Sequence, residues 1–128
     1  MKVRKFEDLE CWQKARELCK CIYQLSRKAQ FKKDFKHADQ INGSVGSSMD
    51  NIAEGFGRRG NKEFAYFLHI SLGSVYEVKS QLYRASDKDY ITIQEFRYAM
   101  ELADVTASKV FNLIRAIEKS DFMGPKYK

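Results

Sequence analysis

The 128 residues amount to one domain, enough to bury about two thirds of the surface the unfolded chain exposes. Hydrophobic residues at 44%, charged residues at 31%, one proline and seven glycines exclude a disordered, collagen-like or turn-rich all-β chain and point to a helical domain. The net charge of +6 is lopsided, with 13 Lys and Arg against 8 Asp and Glu in residues 1–60 and 10 against 9 beyond, a surplus that suits a polyanionic partner.

The start, MKVRKFEDLE, lacks the apolar run of a signal peptide, and no stretch reaches the roughly 18 apolar residues of a membrane span, so a cytoplasmic protein without membrane contact is expected. A first helix is predicted over about 9–29, where Leu9, Trp12, Ala15, Cys19, Ile22 and Ser26 recur at steps of three or four. Its three cysteines do not converge: Cys19 and Cys21 point about 200° apart and Cys11 lies two turns away. With two histidines far off in sequence, no metal site is expected, and the thiols read as small packed hydrophobes.

A second helix, about 36–58, carries its stripe on Ala38, Ile41, Val45, Ser48, Ile52 and Phe56. The densest positive charge, Lys28, Lys32, Lys33 and Lys36, precedes and opens it, and Arg58 and Arg59 close it. These six residues are the candidate nucleic-acid contacts. A polar line, Gln40, Ser44, Ser47, Asn51, Glu54 and Arg58, runs beside the stripe. It reads either as an internal hydrogen-bond network or as a groove or subunit contact ending at Arg58 and Arg59.

A third helix, about 62–86, is expected to follow Gly60 as a left-handed stop and Asn61 as an N-cap, with core positions Phe64, Leu68, Ser71, Val75, Val78 and Leu82. Its own polar line includes Glu63, Ser74, Glu77 and Gln81. Thr92 and Glu95 form a capping box for a fourth helix, about 93–119, and residues 121–128 read as a frayed basic tail. Short connections make the economical arrangement an antiparallel, up-down-up-down four-helix bundle with left-handed packing, a single all-α domain over 1–128.

Two faces are more apolar than one such bundle needs. Leu18 and Leu25 widen the first helix's arc, and His69, Leu72, Tyr76 and Tyr83 line a second face of the third. Both strips are candidate contacts between copies of the chain.

Catalysis finds little support. No phosphate-binding glycine loop is present, neither His37 nor His69 adjoins a nucleophile in sequence, and Glu54 and Glu77 lack the Glu-x-x-His spacing of di-iron bundles. A non-enzymatic RNA-binding protein needing no cofactor is the leading expectation, and a protein-binding adaptor is the alternative.

Three segments, FEDLECWQKA (6–15), QINGSVGSSMDNIAEGFGR (40–58) and NKEFAYFLHISLGSVYEVKSQL (61–82), resemble the helical-bundle proteins encoded in the intervening sequences of bacterial 23S rRNA genes. The most specific piece is Asn51-Ile52-Ala53-Glu54-Gly55, followed by Glu63-Phe64, Phe67-Leu68, Ser74 and Glu77. The resemblance implies an antiparallel bundle, a homopentameric ring and no enzymatic activity. It also implies a likeness to the basic pentameric accessory protein of diversity-generating retroelements, which contacts a reverse transcriptase and nucleic acid. This chain departs from the family pattern after Gln40, where Ile41-Asn42-Gly43 replace a common arginine pair, and the positive charge then rests on the lysines and arginines named above.

Overall fold

The structure, a computed structural model, describes residues 3–119. Among them are five α-helices, one 3-10 turn and no strand. The 3-10 turn, Phe6–Asp8, leads into α1 (Glu10–Ser26), α2 (Ala29–Lys33), α3 (Phe35–Arg58), α4 (Asn61–Asp87) and α5 (Ile93–Glu118). The four long helices pack side by side: α1 lies against α3 and α5, and α4 lies against the same two.

Apolar spacing accounts for this packing. Ala15, Leu18 and Ile22 of α1, Ile41 and Ile52 of α3, Phe64, Leu68, Val75 and Leu82 of α4, and Ala99, Ala103 and Val110 of α5 are all fully buried. They fall into two clusters, one around Leu18, Ile41, Val78 and Ala103, the other around Ala15, Ile52, Phe64 and Ile114. Half-buried Leu72 touches both.

Three local expectations are corrected. The first helix stops at Ser26 rather than residue 29, and the expected connection at 30–35 contains the extra turn α2, which sinks Phe31 into the core. The left-handed step after α3 is taken by Arg59, at φ 64°, while Gly60 is extended at φ −126°. Asn61 does not cap α4; Gly60 holds that position without a side-chain bond, and the buried Asn61 Oδ1 has no hydrogen-bond partner. The capping box does form: Thr92 Oγ1 accepts from the Glu95 N–H at 3.1 Å, and the Thr92 N–H donates to Glu95 Oε1 at 2.8 Å. The tail at 121–128 lies outside the described residues.

Candidate nucleic-acid interface

The end of the bundle where α1 finishes and α3 begins is locked from beneath by one polar cluster. Asp34, at the break between α2 and α3, caps α3 by accepting the His37 N–H at 3.2 Å. The Tyr90 hydroxyl donates to Asp34 Oδ2 at 2.8 Å and the Lys88 ammonium at 3.1 Å, which together hold the carboxyl down at about 2. His37, buried beside Phe31 and Tyr90, directs Nε2 at the Gln81 carbonyl (3.0 Å) and receives Lys88 at Nδ1 (3.4 Å).

Cations flank Asp34 along the chain. Lys32, Lys33 and Lys36 are exposed, and no carboxylate of the described residues lies within ion-pair distance of them. Lys32 and Lys36 share the wall of an open groove of about 790 Å³ with Arg27, Tyr23, Phe35 and Asn42; Asp39 is the one carboxylate on its lining. A hydrogen-bonded bridge floors the groove: Asn42 Nδ2 donates to Ser26 Oγ at 2.8 Å, and Ser26 Oγ donates to the Tyr23 carbonyl at 3.1 Å. The Arg27 guanidinium lies 5.4 Å from the centre of the Tyr23 ring. Phe35, first residue of α3, is 80% exposed and Tyr23 52% exposed.

The six candidate cations therefore do not form one patch. Lys28, at the same end, is half-buried and tied to Glu95 in an ion pair. Arg58 and Arg59 sit at the other end of α3, about 33 Å from Lys36 at 1.5 Å per residue. There Arg58 donates to Glu54 at 2.7 Å and lies over the Phe67 ring at 5.0 Å. Tyr23 and Phe35 were not among the expected contacts. Their signals were Phe35 standing off the apolar stripe beside a capping Asp34, and Tyr23 one turn before Arg27.

The candidate subunit contacts divide as well. Leu18 and Leu25 are buried in the bundle's own core, at 0% and 8% exposure, and so present no surface to a second copy. The wide apolar arc of α1 is consumed by facing two neighbours and α2 at once. His69, Tyr76 and Tyr83 are exposed along the flank where α4 meets α5. His69 faces Glu118 at 3.6 Å, Tyr83 meets Phe96 edge-on at 5.0 Å, and Tyr76 lies under Lys79, whose ammonium pairs with Asp104. Further exposed apolar groups on these helices, Tyr66, Ile70, Tyr98, Val105 and Phe111, were not anticipated.

The polar lines of α3 and α4 meet. Asn51 donates to the Ser47 carbonyl (2.8 Å) and hydroxyl (3.0 Å), Ser74 donates to Ser47 (3.0 Å), and the buried Ser71 donates to the Ser48 carbonyl at 2.6 Å. Gln40, Ser44, Ser47, Glu77 and Gln81 line an open groove, while Glu54 is taken up by Arg58. Gly55 makes the close approach possible, since a Cβ there would stand 2.8 Å from Phe67 Cβ.

Reactive chemistry is scarce. Burial pushes the Cys11 thiol up to about 12 and Cys19 up to about 11, leaving few thiolates near neutral pH. Among the described residues no group of three or more His, Cys, Asp and Glu is placed to hold a metal ion, and no helix is long and apolar enough to cross a membrane.

Comparison with known proteins adds a family. No curated protein matches the chain. A solved structure from Bacteroides thetaiotaomicron, described as a protein with unknown function from the S23 ribosomal protein family, shares the fold at a TM-score of 0.75 and 20% identity, covering 82% of this chain and 95% of that one. The profile of the 23S rRNA-intervening sequence proteins matches residues 7–112, nearly the whole described chain, and the chain belongs to that family.

Proposed function

We propose that this chain is a non-enzymatic, self-associating helical bundle of the bacterial cytoplasm that binds RNA through the end carrying the Lys32–Lys36 groove. One observation carries the reading: Lys32 and Lys36, exposed and with no ion-paired carboxylate among the described residues, line one groove with Arg27, Tyr23 and Phe35. Unpaired cations cost nothing to redirect toward phosphates, whereas Lys28 and Arg58 would first have to leave Glu95 and Glu54. The two-residue link between α3 and α4, Arg59–Gly60, favours antiparallel neighbours, and an up-down-up-down order with left-handed packing completes the proposed architecture. Self-association rests on the exposed α4 and α5 aromatics and, for a ring of five, on the family resemblance. Several copies would pool groove charges that are weak singly.

Binding of a labelled rRNA fragment, measured by fluorescence anisotropy between about 50 and 200 mM salt, tests this. Affinity should fall steeply with salt, and replacing Lys32 and Lys36 with Gln should lower the slope of log K against log salt by about 1 to 2. Absence of binding, or a flat salt response, would favour the second reading. In that reading the exposed Tyr66, Ile70, Tyr98, Val105 and Phe111 dock a protein and the lysines keep the chain soluble.

A further inference from the structure

From the composition of the α1/α3 groove we infer that it takes unpaired RNA bases, stacked on Phe35 and Tyr23, in preference to a duplex; this rests on the RNA-binding reading above. A singly exposed apolar residue needs no explanation, but here two rings line one groove with three cations, Arg27, Lys32 and Lys36, against one carboxylate, Asp39. Phe35 contributes nothing to closing α3, because Asp34 already supplies the cap, and at 80% exposure it contributes little to the core. The backbone that carries the ring is nonetheless fixed, since Phe35 is the first residue of α3 and the capping Asp34 is itself held by Tyr90 and Lys88. Tyr23 is steadied by the Arg27 guanidinium over its face and by the Asn42–Ser26 bridge beneath its backbone.

A duplex would use only half of this equipment. Its phosphates could meet Arg27, Lys32 and Lys36, but its bases are stacked inside and offer no π-face to either ring. A single strand offers both at once, phosphates to the cations and bases to the aromatics, without any hydrogen-bond code. The groove therefore reads strandedness, not sequence.

The test uses the full chain, a labelled single-stranded RNA of about a dozen nucleotides, and a blunt duplex of the same length, at several salt concentrations. Wild type should bind the single strand more tightly than the duplex. Phe35→Ala should weaken single-strand binding by roughly 5- to 150-fold, leave duplex binding and the salt slope as they were, and keep the wild-type melting curve, while Phe35→Trp restores the preference. Lys32→Gln with Lys36→Gln should do the converse, lowering the salt slope on both ligands while the preference survives. Equal binding of both ligands by wild type, or equal weakening of both by Phe35→Ala, would overturn the stacking inference and leave RNA binding intact. No salt-dependent binding of either RNA would overturn both. A changed sedimenting mass of Phe35→Ala would also overturn the inference, since the ring would then belong to a contact between copies.

Discussion

His37 of α3 and Gln81 of α4 are joined across the helix seam by a 3.0 Å contact between the imidazole Nε2 and the main-chain oxygen. Only a ring that carries its proton on Nε2 can donate there while accepting Lys88 at Nδ1. Burial chiefly, and the nearby charges of Lys88 and Arg84, hold the ring's pKa below 6.5, against the pull of the Gln81 carbonyl and Asp34. The same ring packs on Phe31, so the seam, α2 and the loop carrying Lys88 and Tyr90 are fastened at one point.

Stability should consequently depend on pH. The unfolded chain takes up the histidine proton first, so the stabilisation is complete above about 6.5 and is lost as the pH falls toward the lower folded value. The unfolding free energy from urea titrations should drop between pH 7.5 and 5, by at most about 1.4 kcal/mol per pH unit for this one proton, and His37→Gln should flatten that dependence. Asp34, held at about 2, adds a second loss between pH 3.8 and about 2.

Glycines in α3 should respond oppositely to alanine. At Gly55 the new methyl meets Phe67 Cβ at 2.8 Å and Phe64 Cδ1 at 3.0 Å, so Gly55→Ala should destabilise by about 1–3 kcal/mol. At Gly43 and Gly46 nothing lies within 4 Å, and alanine should stabilise the bundle by about 0.5–1 kcal/mol at each. Thermal melts of the three single variants decide the matter.

Truncating Leu18 should act through folding. The side chain is fully buried, so Leu18→Ala should cost about 2–5 kcal/mol in denaturant titrations, whereas Tyr76→Ala should leave folding within about 0.5 kcal/mol of wild type. Sedimentation at micromolar concentration then reports on assembly separately: a shift for Tyr76→Ala would place that ring in a contact between copies.

Thiol chemistry offers a further check. With Cys11 raised to about 12 and Cys19 to about 11 by burial, a disulfide reagent at pH 8 should modify both slowly in the native protein. The half-buried Cys21 should react ahead of Cys11, and all three should react promptly in urea, as followed by mass spectrometry.

Loss of the α5 cap should be measurable too. Thr92→Ala removes the acceptor for the Glu95 N–H while keeping the backbone N–H that holds the Glu95 carboxylate, so about 1 kcal/mol of stability should go, readable in a urea titration.

The long helices were legible in the sequence because each buries one stripe, and steps of three and four register that burial directly. Thr92 and Glu95 were legible because a capping box is a purely local device. By contrast, α2 contributes only Phe31 to the core, too short a pattern for periodicity to register. Leu18 and Leu25 were misplaced because an arc drawn from sequence cannot tell two neighbouring helices from a helix and a partner. The groove was half legible: charge density marked Lys32 and Lys36, but joining Tyr23 to Phe35 requires knowing how α1 turns through α2 onto α3. Charge density alone also joins Lys36 to Arg58, although counting residues puts them at opposite ends of α3.

Gly43 and Gly57 put no side chain over the exposed backbone of α3 at their own positions, with the half-buried Gly46 between them. Water can reach the carbonyls there and compete for the amides that bond to them, so these turns should open locally at lower free energy than the Phe64–Val75 stretch of α4. Hydrogen exchange would then divide the two partners of one tight seam into a faster helix and a slower one.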